Sequence, residues 1–237
     1  MPTHPDQASL VIAGATGVLG NEVLRRLVGQ QRFRETHVLA REPITEGLRG
    51  VRAHVVPGES PAQLAANWPL LMAGTAIVMF DPPRLFYERE RALWTPRPED
   101  LPALARWLRA GGVATLAIVM PHAPMRLPES LKRGLAGLDE QAVAALGFER
   151  LIIVRSAQKP RAEGGGHALV RLARWMLGVF KYMVPTSEQP VRAVKVAEFV
   201  ALALELAPAG IRVAAPETVW HAAQGDMRAA VAAWSRG

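Results

Sequence analysis

The apolar run Leu10-Val11-Ile12-Ala13 passes directly into Gly14-Ala15-Thr16-Gly17-Val18-Leu19-Gly20. No other feature of the chain constrains its fold as strongly. Val11 and Ile12 are β-branched and suit a buried strand. Three glycines then allow a sharp turn. Beyond them, Glu22-Val23-Leu24-Arg25-Arg26-Leu27-Val28 carries its apolar residues at helical spacing. The segment reads as strand, tight turn and helix, the opening of a βαβ unit. The glycine spacing is G-x-x-G-x-x-G, a variant of the general dinucleotide fingerprint. In such a turn the backbone comes close to a pyrophosphate, and the unpaired N–H groups of the helix N-terminus face the anion. Gly14, Thr16, Gly17, Val18, Leu19 and Gly20 are therefore candidate dinucleotide-binding residues, with N–H groups from Gly17 to Leu19 as the donors.

Strand and helix patterns alternate along the rest of the chain. Strands are expected at Ser9–Ala13, Thr36–Ala40, Arg52–Val56, Thr75–Phe80, Val113–Met120, Leu151–Arg155 and Ile211–Ala214. Helices are expected at Val18–Val28, Pro61–Trp68, Glu99–Ala110, Glu129–Leu146, His167–Phe180, Val191–Leu206 and Asp226–Trp234. Ala76-Ile77-Val78-Met79-Phe80 is apolar on both faces, as a parallel strand covered by helices on each side must be. Right-handed crossovers then give an α/β fold: a doubly wound, mostly parallel, Rossmann-like sheet with helices on both faces. With 237 residues and no low-complexity divider, one domain is expected over 1–237, its portion from about 156 onward serving as a substrate or lid region.

Composition removes several function classes. The chain has no cysteine, so disulfides, thiolate catalysis and cysteine-ligated metals are excluded. Its six histidines, at 4, 37, 54, 122, 167 and 221, show no metal-ligand spacing, and no metal site is expected. No G-x-S-x-G elbow supports a hydrolase. The formal charge of +7 comes from 24 Arg and 4 Lys scattered along every element, which argues against a nucleic-acid face. Arg171, Arg174 and Lys181 read as a solvated helix face. No stretch approaches the ~20 apolar residues of a membrane span. The first residues do not read as a signal peptide. A cytoplasmic protein is expected.

Several segments together carry a family resemblance. They are Gly14–Gly20, Val38-Leu39-Ala40-Arg41, Ala110-Gly111-Gly112-Val113, Gly137-Leu138-Asp139-Glu140, Leu146 to Arg155 and Val194-Lys195-Val196-Ala197-Glu198-Phe199-Val200. In that order they resemble an atypical short-chain dehydrogenase/reductase of the NmrA-like type. The resemblance implies a nicotinamide dinucleotide as cofactor. It also implies a Tyr-x-x-x-Lys pair on the fifth helix, in which the Lys lowers the phenol pKa for acid/base work. The pair is missing: its positions fall on Lys132 and Ala136, and neither Tyr87 nor Tyr182 has a Lys four residues later. The usual Ser or Thr beyond the fifth strand falls near Pro121 or His122.

Arg41 follows the second strand, where an acidic residue would accept the ribose 2′-OH bonds of NAD. A guanidinium there pairs instead with a 2′-phosphate and favours NADP, with NAD still possible. The fourth strand runs into Phe80-Asp81-Pro82-Pro83, adding bulk, a charge and two stiff residues beside the expected cofactor. Phe80 and Asp81 thus join the cofactor-binding candidates. His122 and Asp81, at strand carboxyl ends, are the candidates for acid/base work.

Three functions stay open. The first is a dinucleotide-binding, NADP-preferring protein, catalytically degenerate, with a redox-sensing or scaffold role. The second is an NAD(P)H-dependent oxidoreductase or isomerase with non-standard acid/base groups. The third is a cofactor-free interaction protein with a protein partner on the His167–Phe180 helix.

Overall fold

The computed structural model describes residues 9–44, 49–56, 68–84, 87–121, 139–155 and 191–237. Seven parallel strands form one sheet: β1 (Ser9–Ala13), β2 (Glu35–Ala40), β3 (Val51–Val55), β4 (Thr75–Met79), β5 (Thr115–Val119), β6 (Arg150–Val154) and β7 (Gly210–Ala214). Their order is β3-β2-β1-β4-β5-β6-β7, which makes this a Rossmann-like α/β sheet. Helices are α1 (Gly17–Gly29), α2 (Glu88–Ala92), α3 (Leu101–Ala110), α4 (Glu140–Ala144), α5 (Ala193–Leu206), α6 (Pro216–Gln224) and α7 (Met227–Arg236).

Alternate residues of each strand feed two cores, the consequence of a period of two. Leu10 and Ile12 pack in the layer that holds Leu19, Val23 and Leu27 of α1 with Val196, Phe199 and Val200 of α5. Val11 and Ala13 face the other layer, with Leu104, Trp107 and Leu108 of α3. That second layer contains Trp68 set edge-on against both Trp94 and Trp107, at 5.2 and 5.3 Å between ring centroids. Strand order reverses between β1, which pairs with β2 on one side, and β4 on the other. The carboxyl ends of β1 and β4 therefore flank the crevice in which this architecture binds ligands.

All seven expected strands are present, with ends shifted by a residue or two. Val113 is left out of β5 because its N–H continues the turn of α3, bonding the Leu108 carbonyl. The helix expected from Glu99 begins at Leu101, after a 3-10 turn at Pro98–Asp100. In the expected Glu129–Leu146 helix, the described part is helical only over Glu140–Ala144, with Asp139 as its cap and Gly147 at φ 69° beyond it. Helices α2 and α6 were not expected. Most of Pro61–Trp68, all of His167–Phe180 and the start of the proposed lid portion lie outside the described residues.

Candidate functional site

The turn between β1 and α1 is built so that only glycine fits it. Gly14 has φ 81°, and a Cβ there would stand 2.0 Å from the Met79 carbonyl oxygen at the end of β4. Gly17 has φ 67°, and its Cβ would stand 2.7 Å from the Asp81 Cβ. A Cβ on Gly20 would stand 2.7 Å from the Gly14 carbonyl oxygen, so this glycine lets α1 close against the turn. Phe80 and Asp81 follow β4 directly, which brings Asp81 beside the glycine turn.

Thr16 is the N-cap of α1 by backbone geometry, yet its side chain does not cap the helix. The fully buried hydroxyl instead donates to the Asp81 carbonyl oxygen and lies 3.0 Å from the Thr95 hydroxyl. The first N–H groups of α1 consequently need other acceptors. They find two carboxylates. Leu19 N–H donates to Asp81 Oδ2 at 3.2 Å, and Gly17 N–H donates to Glu90 Oε2 at 3.1 Å. Both acids are nearly buried. Negative charge at a helix N-terminus is favoured by the macrodipole as well as by the hydrogen bonds.

Glu90 is a saturated acceptor. Oε2 also accepts from Arg84 N–H at 2.9 Å. Oε1 accepts from Asn21 Nδ2 and Arg84 Nε, both at 2.7 Å, and from the Arg84 terminal nitrogen. This pairing raises the Arg84 pKa further above the usual guanidinium value, mainly through the Glu90 hydrogen bond. The Arg84 guanidinium also stacks on the Tyr87 ring, 3.7 Å from its centroid.

The chain after α2 crosses the carboxyl ends of β1 and β2. Arg41 N–H donates to the Ala92 carbonyl at 2.7 Å, Trp94 N–H to Leu39 at 2.9 Å, and Gly14 N–H to Trp94 at 3.2 Å. Leu93 bridges Ala40 in antiparallel sense. Trp94, 1% exposed, anchors this strap in the core.

The structure therefore brings together Gly14, Thr16, Gly17, Leu19, Gly20 and Asp81. Val18 lies in the same turn with its side chain exposed. Arg41 is exposed just past the end of β2. The N–H groups of Gly17 and Leu19, expected to donate to a pyrophosphate, here donate to the protein's own carboxylates. Phe80 is 1% exposed and packs in the core layer containing Trp94, so its bulk supports the strap and presents almost no surface to the crevice. His122, Lys132, Ala136 and Tyr182 lie outside the described residues. Tyr87 is exposed beside Arg84. No group of described His, Asp or Glu residues is placed to hold a metal. No helix among the described residues is long and apolar enough to cross a membrane.

Glu90 escapes sequence reading. It sits in Glu88-Arg89-Glu90-Arg91, an alternation of charge with no apolar periodicity, which reads as solvated surface. Only the path of the strap carries it to α1.

No protein-family model matches the chain, and no curated protein is similar to it in sequence. Solved structures are similar in fold. A triphenylmethane reductase of Citrobacter sp. superposes with a TM-score of 0.53 at 15% identity, over 87% of this chain and 68% of that one. A nucleoside-diphosphate-sugar epimerase of Staphylococcus aureus superposes with a TM-score of 0.51 at 13% identity, over 86% of this chain and 70% of that one. At these identities the likeness establishes a shared Rossmann-like fold.

Proposed function

We propose that this chain is a nicotinamide-dinucleotide-binding protein with the architecture of a short-chain dehydrogenase/reductase, prefers NADP, and acts as a redox-sensing or scaffold protein without ordinary carbonyl reduction. The observation that carries the reading is the glycine turn at the switch point between β1 and β4. Gly14 and Gly17 take positive φ, and added side chains at Gly14, Gly17 and Gly20 would meet neighbouring atoms within 2.0–2.7 Å. The similar solved structures, a reductase and a sugar-nucleotide epimerase by name, agree with it. A glycine turn at this switch point is where a pyrophosphate is bound in this architecture. Its donors, as folded here, are engaged by Asp81 and Glu90, so a dinucleotide must compete with them. Arg41, exposed beyond β2, is the residue to meet a 2′-phosphate.

Calorimetric titration with NADP and NAD tests the reading. NADP should bind more tightly by about 1–3 kcal/mol, the scale of a charge-assisted hydrogen bond. Arg41→Ala should erase most of that preference and leave NAD affinity nearly unchanged. Equal wild-type affinities would refute the NADP assignment. Steady NADPH consumption with a panel of aldehydes, ketones and quinones would instead establish an oxidoreductase.

A further inference from the structure

We propose that Glu90, with Asp81, is a built-in occupant of the pyrophosphate position, and that a dinucleotide enters only when α2 swings the Glu90 carboxylate away from α1. This rests on the dinucleotide reading above and adds a self-inhibited state to it.

The two carboxylates use the N–H groups that make such a turn an anion site, those of Gly17 and Leu19. They arrive from positions 73 and 62 residues distant in sequence, so tertiary structure places them there. Glu90 accepts from Gly17 N–H, Asn21 and three Arg84 nitrogens, much as a bound phosphate oxygen pair would be received. An incoming pyrophosphate is itself an anion. It cannot share these donors with two carboxylates at hydrogen-bond distance without strong repulsion in a nearly buried site. Glu90 must therefore leave the Gly17 N–H before a phosphate can take it, while Asp81 stays on the Leu19 N–H.

Main-chain ties distinguish the two carboxylates. Ala92 and Trp94 are tied by main-chain bonds to Arg41, Leu39 and Gly14, and the Trp94 ring is locked in the core. Asp81 follows β4 directly, and its main-chain carbonyl is held by Thr16. Helix α2 is a single turn, Glu88–Ala92, pinned among the described residues at its Ala92 end only, and at the other end its neighbour Tyr87 is exposed. Breaking the Arg84–Glu90 pair also frees a guanidinium beside the incoming phosphates. The Arg84 side chain is 36% exposed, so water stabilises it during the exchange.

The test is calorimetry with 2′-phospho-ADP-ribose on the full chain, comparing wild type, Glu90→Gln and Glu90→Ala. Glu90→Ala should bind at least tenfold more tightly than wild type, and Glu90→Gln should fall between them. A second measurement stands whether or not those variants fold: hydrogen–deuterium exchange of wild type with and without saturating ligand. Amides of Tyr87–Ala92, and that of Leu93, which donates to the Glu90 carbonyl, should lose protection on binding, while that of Trp94, bonded to Leu39, keeps it. Folded Glu90 variants that bind no more tightly than wild type, or added protection over Tyr87–Ala92, would overturn the inference while leaving the dinucleotide reading intact. Absence of binding by wild type and by every folded variant would overturn the dinucleotide reading, and this inference with it.

Discussion

The N-terminus of α1 and the C-terminus of α5 solve the same problem with opposite charge. At α1, backbone donors without intrahelical partners meet Asp81 and Glu90. At α5, the Leu204 carbonyl accepts from Arg32 at 3.1 Å, and the Ala207 carbonyl accepts from Arg150 at 3.2 Å. Each sign suits the macrodipole end it faces. The partners differ in how they are held. Arg150 begins β6 and is braced by Thr115 of β5 at 3.1 Å. Arg32 is buried enough that desolvation lowers its pKa, while Glu205 opposes the shift. Those cations are part of the frame. Glu90 rides on one turn of helix just ahead of the strap, and in the proposal above it is the anion that a ligand displaces. Arg150 thus sits on a strand of the sheet and Arg32 in the α1–β2 connection, whereas Glu90 sits on a single-turn connecting helix.

The largest effect should come from the rigid wall behind the exchangeable anion. Gly14→Ala puts a Cβ into the Met79 carbonyl and strains a positive φ, and should cost about 3 kcal/mol or more. Urea unfolding measures it; a loss below about 1 kcal/mol would mean that the turn at α1 yields.

Next, Arg150→Met should cost about 1.5–3 kcal/mol, since it removes charged hydrogen bonds from two helix carbonyls and Thr115. Glu90→Gln should cost less, about 1–2 kcal/mol: the amide oxygen still accepts from Gly17, its NH2 then faces the Asn21 and Arg84 donors, and the partly exposed Arg84 side chain turns to water. The reverse ranking by denaturant midpoint would break the comparison.

A locally capped helix calibrates both. Asp226 accepts from Ala229 N–H at 3.1 Å at the start of α7, and Asp226→Ala should cost about 1 kcal/mol. A larger loss would show that caps drawn from nearby sequence matter as much as distant ones here.

The smallest effect is expected at the β2–β3 edge, away from both helix ends. His37 Nδ1 lies 2.8 Å from His54 Nε2, and burial, ahead of the neighbouring charges, lowers both pKa values. A histidine with a lowered folded pKa favours the folded state above its unfolded value of about 6.5. That contribution is lost as pH falls through the lower folded value. Thermal melts from pH 7.5 to 5.5 should therefore show Tm falling, and His54→Gln should flatten the slope. An unchanged slope would mean that this pair does not carry the acid sensitivity.

The strands were legible because their evidence is local. Leu10–Ala13 and Ala76–Phe80 carry apolar, β-branched runs that must be buried wherever the chain goes. Gly14, Gly17 and Gly20 announced the turn for the same reason, since their freedom is needed within seven residues. Helix α6 went unseen because Pro216–Gln224 buries only Val219 and Ala222, too little apolar signal to show a period. Arg41 was readable as a charge at a strand end. The pairing of its backbone with Ala92 was not, because that bond joins segments about fifty residues apart.

Sequence alone thus determined the α/β order of elements and the glycine turn, since both depend on the conformational limits and burial of neighbouring residues. Tertiary structure alone decided what that turn holds. Hydrogen bonding acts over about 3 Å of space and takes no account of separation along the chain. Glu90 became an acceptor for α1 only when the strap, pinned by Trp94 between Leu39 and Gly14, carried it across the ends of the sheet.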